Sequence, residues 1–226
     1  KEYVCELILG HSTDTQDSYG AVTEKSEKHS VTLEEFKSVL NEFTGGQIQI
    51  PPAYSAVKLN GKKLYEYARQ NIFVEKQGRQ INIKDIGLLK FDGGSALLKV
   101  KCSKGTYMRT LCNDIGNRLG TFGHMGILIR TESKGLHIKN SVTLQQLKFL
   151  NDNNRLSECI IPVEDIYKLE KIYIEEKYYD RLIAGNEISG ITNVQNDEFY
   201  VYCRNTLIGI GKKTDENTIK IGKMLL

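Results

Sequence analysis

The sequence holds no run of about eighteen apolar residues of the kind that crosses a bilayer as a helix. Its opening, KEYVCELILG, lacks the basic, then apolar, then small-residue layout of a secretory leader. The expectation is a cytoplasmic protein with no membrane partner. Five cysteines (Cys5, Cys102, Cys112, Cys159 and Cys203) are scattered without a CxxC pair, which favours reduced core thiols over disulfides or zinc ligands. The four histidines (His11, His29, His124 and His137) show neither HxxxH nor HxH spacing, so no metal site is expected. A GxxxxGK[ST] loop and a GxGxxG turn after a strand are both missing, which argues against nucleotide cofactors. The absence of GxSxG weakens a serine hydrolase.

What is present is an ordinary globular composition: 226 residues, 40% hydrophobic and 26% charged, with a net charge of +3. That balance permits an anionic partner without demanding one. From Ile172 onward seven basic residues face eight acidic ones, so the positive surplus lies in the first three quarters of the chain. Any electrostatic footprint for a nucleic acid belongs there.

Along the chain, strand and helix patterns alternate. Lys1 to Gly10 reads as a strand with Tyr3, Cys5, Leu7 and Leu9 on one side, and it begins so abruptly that a truncated chain is expected. After the loop HSTDTQDSYG, Thr32 and Glu35 form a capping box for a helix using Leu33, Phe36, Val39, Leu40 and Phe43, with Gly45 and Gly46 ending it. Extended QIQIPPAYSAVKL leads to a tight turn at Asn60-Gly61. LYEYARQ reads as a short helix, and two strands flank Asp92-Gly93-Gly94. The strand HMGILIRT follows later, and Thr143 with Gln146 caps the helix LQQLKFL. Beyond about residue 170 the pattern becomes short strands such as FYVYC and LIGIG. The division expected is 1–170 for a larger α/β domain and 171–226 for a small β-rich one.

The densest cluster of chemistry is KCSKGTYMRTLCNDIGNRL, residues 101–119, where a glycine turn carries Lys104, Tyr107 and Arg109 into an amphipathic helix. Met108, Leu111, Cys112, Ile115 and Leu119 fall at helical spacing and should bury one face while Arg109 projects from the first turn. Thr106 is the expected N-cap and Gly120 the stop. Tyrosines and cations also interleave elsewhere (Tyr3, Tyr54, Lys58, Lys62, Lys63, Tyr67 and Arg69), a pairing that suits base stacking and phosphate neutralisation.

Four segments, KEYVCELILGHSTDTQDSYG, PPAYSAVKLNGKKLYEYAR, KGTYMRTLCNDIGNRLG and HMGILIRTESKG, occur in the order in which the bacterial TruB family, the tRNA pseudouridine-55 synthases, carries its own. The chain resembles that family over much of residues 1 to 135. The resemblance implies a pseudouridine-synthase fold of the α/β (α+β) class with a mixed, largely antiparallel sheet. The C-terminal segment resembles the family's small PUA-like RNA-binding domain more loosely.

The activity implied is isomerisation of uridine-55 in the T-loop of tRNA: the base is detached, rotated and rejoined through carbon, with no cofactor. The resemblance makes Tyr3 the tyrosine that stacks on the flipped uracil and assists proton removal. Arg109 becomes the arginine pairing with the catalytic aspartate, and Tyr107 and Leu128 line the uridine pocket. Lys58 lies in the segment that grips the RNA stem-loop, with Lys62 and Lys104 as further RNA contacts. The implied partner is the T-stem-loop of tRNA, bound by a monomer.

Two departures stand out. The family's nucleophile sits in a G-x-LDPxAxG pattern upstream of the position where Lys1 stands, and no LDP tripeptide occurs here. The chain by itself is therefore expected to be inactive and Arg109 to lack its carboxylate. Asp14 and Asp17 of TDTQD fit loop organisation better than nucleophilic attack. Ile129 stands where the family has an arginine. The alternative is a catalytically inactive RNA-binding module, and a noncatalytic scaffold is a third reading.

Overall fold

The computed structural model describes residues 1–28, 31–192 and 194–226, so His29 lies outside the described residues. The chain forms two units, Lys1–Val142 and Thr143–Leu226.

In the first unit, β1 (Glu2–Leu9), β2 (His11–Thr13) and β3 (Val22–Lys25) precede α1 (Leu33–Glu42). Next come β4 (Gly45–Gln49), β5 (Lys58–Leu59), β6 (Lys62–Lys63) and α2 (Leu64–Ala68). The unit ends with β7 (Arg79–Phe91), β8 (Ser95–Cys102), α3 (Met108–Arg118), β9 (Gly123–Ser133) and β10 (Leu136–His137). Six of these strands form one sheet in the order β10-β9-β1-β8-β7-β4, and every pair in it is antiparallel. The segment expected as a plain loop after residue 10 is a small ladder of β2 on β3.

Alternation along β1 puts Cys5, Leu7 and Leu9 into the core with Tyr3 half-buried beside them. Leu98 and Val100 of β8 lie on the same face. Covering that face are Phe36 and Leu40 of α1 and Met108, Leu111, Cys112 and Ile115 of α3. Thr32 and Glu35 cap α1 reciprocally, as expected. Its stop differs: the C-cap is Phe43, and Gly45 already opens β4. The N-cap of α3 is Tyr107 rather than Thr106, whose hydroxyl donates to Ser103 O at 3.1 Å. Gly120 follows the C-cap Leu119 with φ +71°, the left-handed turn that favours glycine.

The second unit contains α4 (Leu144–Asp152), α5 (Val163–Ile166), β11 (Glu170–Tyr173), α6 (Tyr179–Ile183), β12 (Ile188–Ser189), β13 (Glu198–Cys203), β14 (Thr206–Asp215) and β15 (Thr218–Met224). Its sheet runs β11-β13-β14-β15-β12, with β11 parallel to β13. The boundary read near residue 170 falls inside this unit. The fully buried Tyr200 explains why, since its hydroxyl donates toward Val163 O (3.2 Å) and Tyr167 O (3.0 Å). A buried hydroxyl needs such partners, and they draw residues before 170 onto the sheet. Among the described residues no helix is long and apolar enough to cross a membrane. Nor does any group of three His, Cys, Asp or Glu side chains there have metal-holding geometry.

α3 lies against the start of β9 with no room for a side chain between them. A Cβ on Gly116 would come within 2.4 Å of Gly123 N and 2.5 Å of Phe122 C, both backbone atoms that cannot swing aside. Gly116→Ala should destabilise the protein by about 3 kcal/mol, read as a lower urea midpoint with little change in slope.

His11 of β2 packs against His124 of β9 with the rings tilted by 41° and their centroids 4.3 Å apart, and His124 Nδ1 lies 3.1 Å from His11 O. Burial first, then the neighbouring His124 and Lys25, pull the His11 pKa below its ordinary 6.5. The unfolded chain therefore binds this proton more readily than the folded one. Stability is complete above the unfolded value of 6.5 and falls as pH drops below it toward the folded value. Thermal melts from about pH 7 to about pH 5 should show a shallower acid-side loss in His11→Gln than in the wild type.

Candidate active site

The centre of the site is a turn tied to a helix start. In the stretch 14–21, Asp14 Oδ1 accepts from Ala21 N at 2.9 Å. Asp17 Oδ1 accepts from Thr15 Oγ1 (2.6 Å) and Tyr19 N (3.1 Å). Both aspartates thus organise the turn, as expected of aspartates in a loop. The turn is also sewn to β9 through Met125 N to Gln16 O (3.0 Å) and Ser18 N to Met125 O (3.0 Å).

Onto this turn projects Arg109, in the first turn of α3. Its Nη1 donates to Asp17 Oδ2 (3.1 Å) and Thr15 O (3.1 Å), and its Nη2 to Tyr54 O (2.8 Å). The two charged side chains are only 22% and 17% exposed. Arg109 therefore faces a neighbouring carboxylate, Asp17, while the family's LDP aspartate is not among these residues. Pairing matters here because a charge so far removed from water is costly unless it is compensated. Thr110, the next residue, reinforces the contact by donating to Gln16 Oε1 at 2.8 Å.

Beside Asp17 lies a cavity of about 500 Å³ lined by Glu6, Asp17, Tyr19, Met125, Ile127 and Leu128 among others. A β-bulge shapes its wall. Leu7 pairs with Met125 and Cys5 with Leu128, so the single residue Glu6 faces both Gly126 and Ile127. The extra residue turns Leu128 to the side of the sheet that carries Cys5, and Leu128 is 43% exposed there.

The residues singled out from sequence are only partly brought together. Arg109 and Leu128 meet the Asp17 turn from two sides. Tyr3 sits half-buried on β1 between Val100 and Arg130, and Tyr107 is half-buried at the N-cap of α3; neither lines the cavity. Lys58 and Lys62 are exposed on the two strands of a hairpin, whose turn is Asn60 (φ 50°) and Gly61 (φ 83°), as the dipeptide suggested. Lys104 is exposed in the turn before α3. Tyr54, noted for its ring, contributes its carbonyl.

Sequence reasoning missed Gln49, which is buried and bonded to Tyr107 N (2.8 Å) and Tyr107 O (3.1 Å) through its side-chain amide. The only signal was a glutamine between two isoleucines, and alternation alone does not say which of them points inward.

Comparison with known proteins fits this geometry. Residues 1–108 match the model of the TruB family pseudouridylate synthase N-terminal domain, and residues 109–168 that of the tRNA pseudouridylate synthase B C-terminal domain. The tRNA pseudouridine synthase B of Clostridium tetani is 42% identical over 232 residues, spanning 100% of this chain and 78% of that protein. The enzyme of the same name from Clostridioides difficile is 33% identical across 100% of this chain and 79% of its own length. A crystal structure of a Cbf5-Nop10-Gar1 complex contains a chain that matches with a TM-score of 0.65 at 23% identity, covering 100% of this chain and 66% of that one. A structure of an H/ACA RNP bound to a substrate RNA gives 0.62 at 20% identity, with the same coverage. These two likenesses concern the fold. With its relatives matched from end to end of the sequence at up to 42% identity, the chain belongs to the TruB family of pseudouridylate synthases.

Proposed function

We propose that the protein isomerises uridine-55 of the tRNA T-loop to pseudouridine. The observation that carries this reading is the Arg109–Asp17 pair set beside the Leu128 cavity, in a chain of this family. In this reading the uridine leaves its stack, which costs a few kcal/mol, and the cost is offset by stacking on Tyr3 and contact with Tyr107 and Leu128. The base is detached from the ribose, turned and rejoined through carbon, so no redox partner or cofactor is involved. Arg109, pre-oriented by Asp17, Thr15 and Tyr54, aims a nucleophilic carboxylate. Its planar fork suits that pairing better than a lysine would.

The family's LDP aspartate is not among these 226 residues. The proposal is therefore made for a protein that carries that aspartate. The same observation favours the second reading, an RNA-binding module without turnover, should no such motif precede the chain. Lys58, Lys62 and Lys104 grip the RNA backbone in either reading, and the C-terminal residues form a PUA-like RNA-binding unit. We further propose that the protein works as a cytoplasmic monomer.

Incubation of the full-length protein with a T-stem-loop RNA should yield pseudouridine. No product despite an upstream LDP motif would refute the reading. Arg109→Ala should lower turnover by about 100-fold or more while leaving RNA affinity within about twofold, because the loss falls on orientation of charge in the transition state. Lys58→Ala should instead weaken RNA binding and reduce the slope of log affinity against log salt by about one, as expected for one lost phosphate contact. Filter-binding titrations over a salt series, beside single-turnover assays, separate the two.

A further inference from the structure

The residues 47–50, Gln-Ile-Gln-Ile, run against the hydrophobic pattern. Ile48 and Ile50 are 65% and 53% exposed, while Gln49 between them is 4% exposed. A shift of one residue would exchange the two faces, burying the isoleucines and freeing the amide. The observed register is the one that burial alone would reject.

The partner of the Gln49 amide accounts for it. Oε1 accepts from Tyr107 N at 2.8 Å and Nε2 donates to Tyr107 O at 3.1 Å, so one side chain satisfies both backbone groups of a residue 58 positions away. This is the exchange that an opposing strand residue makes in an antiparallel ladder, performed here by an amide that carries one acceptor and donors on one plane. Tyr107 needs it. As N-cap of α3 it is extended (φ −97°, ψ 111°) and supplies no side-chain cap of its own.

The same segment touches α3 again five residues later, where Tyr54 O accepts from Arg109 Nη2. Between the two contacts stand Pro51 and Pro52, both buried. Proline fixes its own φ and pushes the residue before it into extended conformations, so Ile50 to Pro52 forms a stiff strap. Beyond Tyr54 the chain enters the hairpin that carries Lys58 and Lys62.

We propose that Gln49 is a positioning residue for the reaction: its clamp on Tyr107 anchors the proline strap whose Tyr54 carbonyl steers Arg109, and so ties the lysine hairpin to the arginine. The proposal rests on the pseudouridine-synthase reading given above. Gln49 touches no reacting atom; it acts through Tyr107 and Arg109.

The test compares Gln49→Leu with Gln47→Leu in the full-length protein. Gln47 lies on the same strand and donates to Phe43 O at 2.8 Å, a contact that does not reach α3. Gln49→Leu should slow single-turnover isomerisation of a T-stem-loop RNA by about tenfold or more, with RNA affinity within about twofold, and speed hydrogen exchange at the Tyr107 amide. Gln47→Leu should change neither. Gln49→Glu, which keeps the acceptor for Tyr107 N–H, serves as a second variant should the leucine variant fold poorly, and should retain more of the rate than leucine does. Equal rate losses for the 47 and 49 variants, or a loss of affinity matching the loss of rate, would overturn the proposal. So would unchanged exchange at Tyr107. A wild-type protein that does not turn over would instead overturn the reading beneath it, whereas active wild type with fully active Gln49 variants would sink the positioning role alone.

Discussion

One guanidinium at the start of α3 reaches back 55 to 94 positions to two other stretches of chain, the Thr15–Asp17 turn and the Tyr54 carbonyl. Three of the five N–H donors of Arg109 are used in these bonds. Both partners of the ion pair are largely withdrawn from solvent, so removing either would leave an uncompensated charge at a cost on the order of 3 kcal/mol. The turn, the strap and the helix therefore stand or fall together. A lysine would supply the charge without the fork that reaches a carboxylate and two carbonyls at once.

The elements around that junction are held by contacts chosen for closeness rather than for burial. Gly116 lets α3 lie against the first residues of β9, and β9 in turn pins the Asp17 turn through Met125. The bulge at Gly126 and Ile127 then sets which side of the sheet Leu128 joins. A side chain at Gly116 or a regular strand at Gly126 would move the wall of the cavity relative to Arg109. Close backbone approach thus sets the wall that Glu6, Asp17, Met125 and Leu128 then line with their side chains.

The legible parts of the fold were those governed by local rules. Thr32–Glu35 and Thr143–Gln146 announce their helices because capping involves residues three apart. The buried face of α3 follows from the spacing of Met108, Leu111, Cys112 and Ile115, and the Asn60-Gly61 turn from the positive φ that its geometry requires. Less legible were features set by distant partners. The start of the second unit at Thr143 was not legible because Tyr200, thirty-odd residues downstream, draws Val163 and Tyr167 onto its sheet. The cap of α3 is Tyr107, whose backbone Gln49 reaches from another strand.

The sequence by itself determined the family, the two-part α/β organisation, the candidate residues Tyr3, Tyr107, Arg109 and Leu128, and the inward faces of β1 and α3. The family and the candidate residues rest on the resemblance of four ordered motifs, the inward faces on spacing, and both are properties of the chain read in one dimension. Only the tertiary structure decided that Arg109 has Asp17 as its carboxylate, that Tyr54 serves through its carbonyl, and that Gln49 rather than Ile48 or Ile50 points inward. Each of these depends on a hydrogen-bond partner more than fifty residues away, and burying a polar group is favourable only once that partner is in place.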